Sequence, residues 1–185
     1  MSGLIAASMF NAMKNEESEL FHKATHDSLT GISNRSLFYD RLRQKLSKAA
    51  KDNHNFGIIS IDMDGLKDIN DHYGHRAGDA AIKELAMRIN STLNETDTVS
   101  RLGGDEFAII ASTVSNRNDI RLLIQSIDNE ITKSFEFEGN IINLRASIGY
   151  ALFSEDGIEL EVLIEKADQS MYEVKRERKG PGKVR

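Results

Sequence analysis

At 185 residues, 39% of them hydrophobic, the chain has enough apolar material for one substantial core, and it reads as a single domain with a short extension. Its 24 Lys and Arg against 29 Asp and Glu give a net charge of −5 with no long basic run, which excludes nonspecific nucleic-acid binding as the main role. The absence of cysteine rules out disulfides, thiol nucleophiles and cysteine zinc sites, and suits a cytoplasmic setting.

The apolar stretch Leu4 to Met13 falls well short of the roughly 20 residues that span a bilayer. Ala6, Phe10, Met13, Glu17, Leu20 and Ala24 are spaced alternately four and three apart, which makes a helical stripe with coiled-coil character. It suits a dimerising input helix or a surface helix docked on its own domain, and residues 1–25 are assigned to this extension. Ser33-Asn34 then caps an amphipathic helix from about Arg35 to Lys51, with Leu37, Phe38, Leu42 and Leu46 inward. Phe56 to Met63 is a strand whose near-continuous apolar run predicts burial on both faces.

A short helix from about Leu66 to His72 ends at Gly74, and a longer one follows from about Ala77 to Leu93. Thr98 to Leu102 and Glu106 to Ala111 form a hairpin around Gly103-Gly104. After a helix near Asp119 to Lys133, strands around Phe135 and from Ile141 to Leu152 meet at the turn signal Gly139-Asn140. The last helix runs from about Leu160 to Arg178, and residues 181–185 form a tail. The order βααββαββα predicts an α/β domain over residues 26–180, in which helices pack on the faces of a mixed sheet.

Two places in this order suggest chemistry. The hairpin turn reads Gly103-Gly104-Asp105-Glu106-Phe107, where two glycines permit a tight reversal and two adjacent carboxylates supply hard oxygen ligands. Asp62 stands at the carboxyl end of the buried strand, and Asp64 and Gly65 lead into a helix start that presents amides and a positive dipole end to an anion. Lys67 adds a mobile positive charge. If the strand and the hairpin are neighbours, carboxylates converge and their repulsion calls for a divalent cation, with magnesium the natural one beside phosphates. Taken singly, each feature also has a bland explanation, as a solvated turn or a helix cap.

Together the residues resemble the GGDEF-domain diguanylate cyclases, which join two GTP molecules into cyclic di-GMP. The resemblance runs from His26 to Lys179, through His26-Asp27-Ser28-Leu29-Thr30-Gly31, Asp62-Met63-Asp64-Gly65-Leu66-Lys67, Gly74-His75-Arg76-Ala77-Gly78-Asp79, the GGDEF pentad and Ala167-Asp168-Gln169-Ser170-Met171-Tyr172-Glu173-Val174-Lys175. It implies a palm-like, nucleotidyl-cyclase-like domain with a five-stranded sheet surrounded by helices.

Carried over by residue, the resemblance implies that Asp62, the Met63 carbonyl and Asp105 hold metal, two magnesium ions per GTP site, with manganese an alternative. Asp105 or Glu106 helps to deprotonate the attacking hydroxyl, the two assignments standing side by side. Lys67 and the amides of Asp64, Gly65, Leu66 and Lys67 face the triphosphate, with Gly103 and Gly104 close to it, and Lys175 and Lys179 reach the outer phosphates. Asn70 and Asp79 contact guanine, and His75 lines the pocket; a carboxylate accepts from guanine N1–H and N2–H₂, a donor pair that adenine lacks. The spacing of His72 and His75 is read with the family rather than as zinc.

The implied enzyme is a two-fold homodimer, each copy supplying half of the catalytic pocket. Many relatives place Arg-x-x-Asp before the GGDEF turn to grip product guanine; here the stretch reads Asn94-Glu95-Thr96-Asp97, and asparagine lacks the guanidinium fork, so weak product inhibition is expected. The family usually has an upstream sensor domain, so the chain is expected to be a piece of a larger, membrane-tethered regulator. The alternatives are an inactive GGDEF module that binds GTP or a partner, and a polymerase-like palm, against which the lack of a basic surface speaks.

Overall fold

A computed structural model describes residues 2–52 and 54–179, with side chains from 13 to 52 and from 54 to 178. The N-terminal helix α1 (Ser2–Thr25) leads into a two-residue strand β1 (Ser33–Asn34) and helix α2 (Arg35–Asp52). Strand β2 (Gly57–Met63) is followed by α3 (Leu66–Tyr73), α4 (His75–Ser91), the hairpin β3 (Thr98–Gly103) and β4 (Glu106–Ala111), and α5 (Arg117–Ile131). Strands β5 (Ser134–Phe137), β6 (Asn140–Asn143) and β7 (Ala146–Leu152) and helix α6 (Leu160–Lys179) complete the fold.

The main sheet has the order β1-β3-β4-β2-β7. Strand β2 lies between β4 and β7 and is antiparallel to both, whereas β1 runs parallel to β3. Every residue of β2 is buried, as its continuous apolar run predicts, because helices cover both faces of the sheet. Ile59, Ile61 and Met63 join a core with α4 and α5, while Ile58, Ala108, Ile110 and Ala151 join Phe38, Leu42 and Leu163 of α2 and α6. The mixed sheet with flanking helices agrees with the expected class.

The membership of the sheet differs from expectation. The run Ile141 to Leu152 is two strands: β6 pairs with β5 in a separate two-stranded sheet, and β7 enters the main one. Buried Leu144 and exposed Arg145 form the joint between them. Ser33-Asn34 caps α2 as expected, with Asn34 Oδ1 accepting from the Leu37 amide at 3.1 Å, but it also pairs with Ser100 and Arg101 as the fifth strand. Two residues show too little alternation to be read as a strand.

In α1, Met13, Leu20 and Phe21 are exposed, and so are Glu17 and Ala24, so the described part of the stripe is not docked on its own domain. The side chains of Ala6 and Phe10 lie outside the described residues. Among the described residues no helix is long and apolar enough to cross a membrane.

Candidate active site

Antiparallel pairing of β2 and β4 places Asp62 directly opposite Glu106, and the Met63 amide donates to the Asp105 carbonyl at 3.0 Å. The hairpin turn that presents these acids is a two-residue loop, Gly104-Asp105, entered through a bulge between Arg101 and Gly103. Gly104 has φ +53°, a left-handed conformation that costs glycine little. Asp62 and Asp105 are therefore neighbours at one end of the sheet, as the metal reading requires.

Asp62 is only 7% exposed, and Lys175 Nζ of α6 donates to its Oδ1 at 2.5 Å. Burial pushes the Asp62 carboxyl up, the Lys175 bond and charge draw it down, and the charges of Asp105 and Asp64 push it up again, so that it ends above the ordinary range. Burial alone would lower Lys175, but its bond to Asp62, with the charges of Asp62, Asp105 and Asp64, holds it above its ordinary value. Lys175 is thus a firm cation facing three mutually repelling carboxylates. Hard oxygen donors with more negative charge than one lysine offsets fit a divalent cation. Among the described residues no group of three or more His, Asp or Glu side chains forms a ready-made metal cluster, so the expected convergence is looser than a closed cage. An ion here would complete its shell with phosphate and water oxygens, the habit of magnesium.

Asp64 accepts from buried Ser147 Oγ at 3.1 and 3.0 Å and stands 3.7 Å from Arg178. Its amide donates to the Arg145 carbonyl at 2.8 Å, so it is already engaged and is removed from the expected phosphate-facing set. Gly65, at φ +78°, turns the chain into α3 with no side-chain cap, leaving the amides of Gly65, Leu66 and Lys67 without an acceptor among the described residues. Leu66 packs on the core, while Lys67 is exposed on the first turn.

Asn70 lies about one turn further along α3, against the start of α4. A Cβ at Gly78 would fall 2.0 Å from Asn70 Oδ1, so the glycine admits the amide beside Asp79. His75 and Asp79, four apart and exposed, share a face at the start of α4. Lys179 ends α6, and its side chain lies outside the described residues.

Arg178 was not singled out in the sequence, and Ser147, which opens the family-like block Ser147-Ile148-Gly149-Tyr150, was given no role there. Arg178 donates to the Ala146 carbonyl and reaches Asp128 as well as Asp64, and with Arg145 and Thr132 it lines a cleft of about 370 Å³ beside the Asp64 loop. Its position one turn after Lys175 hinted at the same helical face. The pairing of Ser147 with Asp64 gave no local signal, because the partners are distant in the chain.

The fold and this acidic strand end define a nucleotidyl-cyclase-like palm. The profile described as "Diguanylate cyclase, GGDEF domain" matches residues 24–181, and the chain belongs to that family. It is 36% identical over 169 residues to the diguanylate cyclase TpbB of Pseudomonas aeruginosa (strain UCBPP-PA14), covering 91% of this chain and 39% of TpbB. With the diguanylate cyclase DgcS of Shewanella oneidensis (strain ATCC 700550 / JCM 31522 / CIP 106686 / LMG 19005 / NCIMB 14063 / MR-1) it shares 33% identity over 172 residues, 93% of this chain and 56% of DgcS. It thus spans well under two thirds of the length of both relatives.

A solved structure comprising only the GGDEF domain of TpbB (YfiN) from P. aeruginosa (PAO1) is similar at a TM-score of 0.80 and 36% identity, covering 82% of this chain and 89% of that one. The coiled coil and GGDEF domain of DgcB from Caulobacter crescentus reaches a TM-score of 0.85 at 23% identity, over 93% and 91% of the two chains, a likeness of fold alone.

Proposed function

We propose that the chain is the catalytic domain of a diguanylate cyclase. The 3′-hydroxyl of one GTP attacks the α-phosphorus of another; a P–O3′ bond forms, the bond from the α-phosphorus to the bridging oxygen breaks, and pyrophosphate leaves. Repetition in the opposite sense closes cyclic di-GMP. The observation that carries this reading is the juxtaposition of buried Asp62 with Asp105 at the end of paired strands, beside the uncapped amides of Gly65, Leu66 and Lys67.

Asp62, Asp105 and the Met63 carbonyl would hold magnesium, two ions per GTP site, with manganese as a substitute. When bound, the metal neutralises the triphosphate and polarises the reacting phosphoryl oxygens. Asp105 or Glu106 receives the proton of the attacking hydroxyl. Lys67 and the three amides meet charge on the phosphates, and Lys175 and Lys179 hold the outer phosphates. Asn70 and Asp79, adjacent across Gly78, select guanine, with His75 beside them. Such chemistry depends on positioning, so two domains must present their GTP molecules to each other in a two-fold pair. The exposed Met13, Leu20 and Phe21 of α1 supply an apolar surface for that pairing. GTP as substrate supports a cytoplasmic setting for the domain.

Incubation with GTP and magnesium, followed by chromatography, tests the activity: cyclic di-GMP must appear, and its rate must rise more steeply than linearly with protein concentration. GTP binding without product would identify an inactive nucleotide-binding module instead.

A further inference from the structure

Asp168, seven residues before Lys175 on α6, accepts a hydrogen bond from Ser60 Oγ at 2.6 Å. Ser60 is buried on β2, two residues before Asp62 and on the same face of the sheet. Strand β2 and helix α6 are thus joined by two polar rungs, Ser60–Asp168 and Asp62–Lys175. Along the helix the rungs stand roughly 10 Å apart and along the strand roughly 7 Å, a mismatch taken up by the long lysine leaning back toward the helix N-terminus.

At the Ser60–Asp168 rung α6 crosses a trench of small residues, resting on its β2 and β7 part. Register places Ser100, Ala108, Ser60 and Gly149 in one row across β3, β4, β2 and β7. At Gly149 the helix backbone touches the sheet: a Cβ there would fall 1.9 Å from the Met171 amide nitrogen and 2.5 Å from the Ala167 carbonyl. Small, smooth surfaces set the depth of a helix but resist sliding along its axis poorly, because no ridges interlock. Ser60–Asp168 is a directional bond at that contact, made to a charged acceptor.

We propose that Asp168 is a positioning residue whose bond to Ser60 fixes the axial register of α6, and so holds Lys175 Nζ at the mouth of the carboxylate site to meet a triphosphate. The nature of the ligand rests on the cyclase reading above; the register argument rests on the two rungs and the trench.

The test compares Asp168→Ala, Asp168→Asn and Ser60→Ala, each alone and combined with Lys175→Ala. The measurements are calorimetric affinity for a non-hydrolysable GTP analogue with magnesium, KM and kcat for GTP, and the thermal midpoint. Asp168→Ala and Ser60→Ala should each weaken analogue binding and raise KM about tenfold with a smaller change in kcat, as expected when a binding group is misplaced. Asp168→Asn retains the acceptor and should remain within about twofold of wild type, and in the Lys175→Ala background Asp168→Ala should cost less than about twofold.

Equal losses in the two backgrounds, or unchanged affinity in both single variants, would overturn the proposal. If Asp168→Ala does not fold, Ser60→Ala carries the same comparison. A wild-type protein that neither binds the analogue nor makes cyclic di-GMP would instead overturn the cyclase reading. The NMR signal of the Lys175 ammonium would then decide the register argument: it must shift in Ser60→Ala and hold in Asp168→Asn, and an unshifted signal in Ser60→Ala refutes it.

Discussion

Arg101 and Asp27 form an ion pair at 3.1 Å, and the same guanidinium donates to the Gly104 carbonyl through Nε at 3.0 Å and Nη2 at 2.8 Å. One side chain therefore grips both the segment that leaves α1 and the turn that presents Asp105. Lysine has the charge but not the fork. Arg101→Lys should lose at least about tenfold in cyclic di-GMP synthesis and about 1.5–3 kcal/mol of stability, the usual worth of charged hydrogen bonds. Turnover assays and urea unfolding measure the two effects; wild-type values in both would contradict the clamp.

Acid should loosen the molecule in a definite window. Burial would raise Asp27, yet the hydroxyl and amide of Thr30 and the Arg101 guanidinium hold its carboxyl below the ordinary range. Burial is likewise outweighed at Asp156 by the Leu152 amide and Arg117. A depressed carboxyl contributes stability that is present above its unfolded pKa, about 3.9, and is lost as pH falls through the lower folded value. The urea midpoint should therefore fall below pH of about 4 on account of these groups. Asp27→Asn and Asp156→Asn should be weaker than wild type at neutral pH and show a shallower acid decline; an identical decline would exclude these two carboxyls as its source.

On the proposed function, guanine selection turns on a hydrogen atom at position 78. Gly78→Ala would drive a methyl into Asn70 Oδ1, which cannot move without leaving its place beside Asp79. The expected result is a rise in KM for GTP of about tenfold, with kcat less affected. Asp79→Ala should erode the preference for GTP over ATP more than it erodes the thermal midpoint. Equal GTP and ATP turnover in the wild type would contradict the guanine assignment.

The stretch expected to lack a product grip is already occupied with itself. Asp97 Oδ2 accepts from the Asn94 amide at 3.0 Å, and Oδ1 accepts from the Ser112 amide at 2.7 Å. One carboxylate oxygen closes the turn, and the other ties it to the residue that follows β4. Cyclic di-GMP should not inhibit at submicromolar concentration through this stretch, and Asp97→Ala should cost about 1–2 kcal/mol in folding while leaving the product-inhibition curve in place. Loss of tight inhibition in that variant would show a working product site.

What could be read from sequence was local. The continuous apolar run of β2, the glycine-led hairpin of β3 and β4 and the helical spacing on α4 and α6 each depend on residues close in the chain, and all formed, the hairpin turn falling at Gly104-Asp105 rather than Gly103-Gly104. The break after Asn143 passed unseen because Leu144 and Ala146 continue the apolar pattern on either side of Arg145. The two-residue β1 exists only through its partner β3. In the site, Asp62 and Asp105 were legible from strand end and turn, but the engagement of the Asp64 amide by Arg145, the Ser147 hydroxyl under Asp64 and the Ser60–Asp168 bond join residues 81 to 108 positions apart. No periodicity encodes such pairs; only the packed sheet brings them together.

Strand β2 is an interior strand of the sheet, hydrogen-bonded along both edges and roofed on both faces. Amides so placed exchange with solvent only when the whole domain opens. The carboxylate at the tip of this strand is therefore mounted on backbone that exchanges only by global opening, and heat should abolish turnover and global structure together, with no folded yet inactive stage between them.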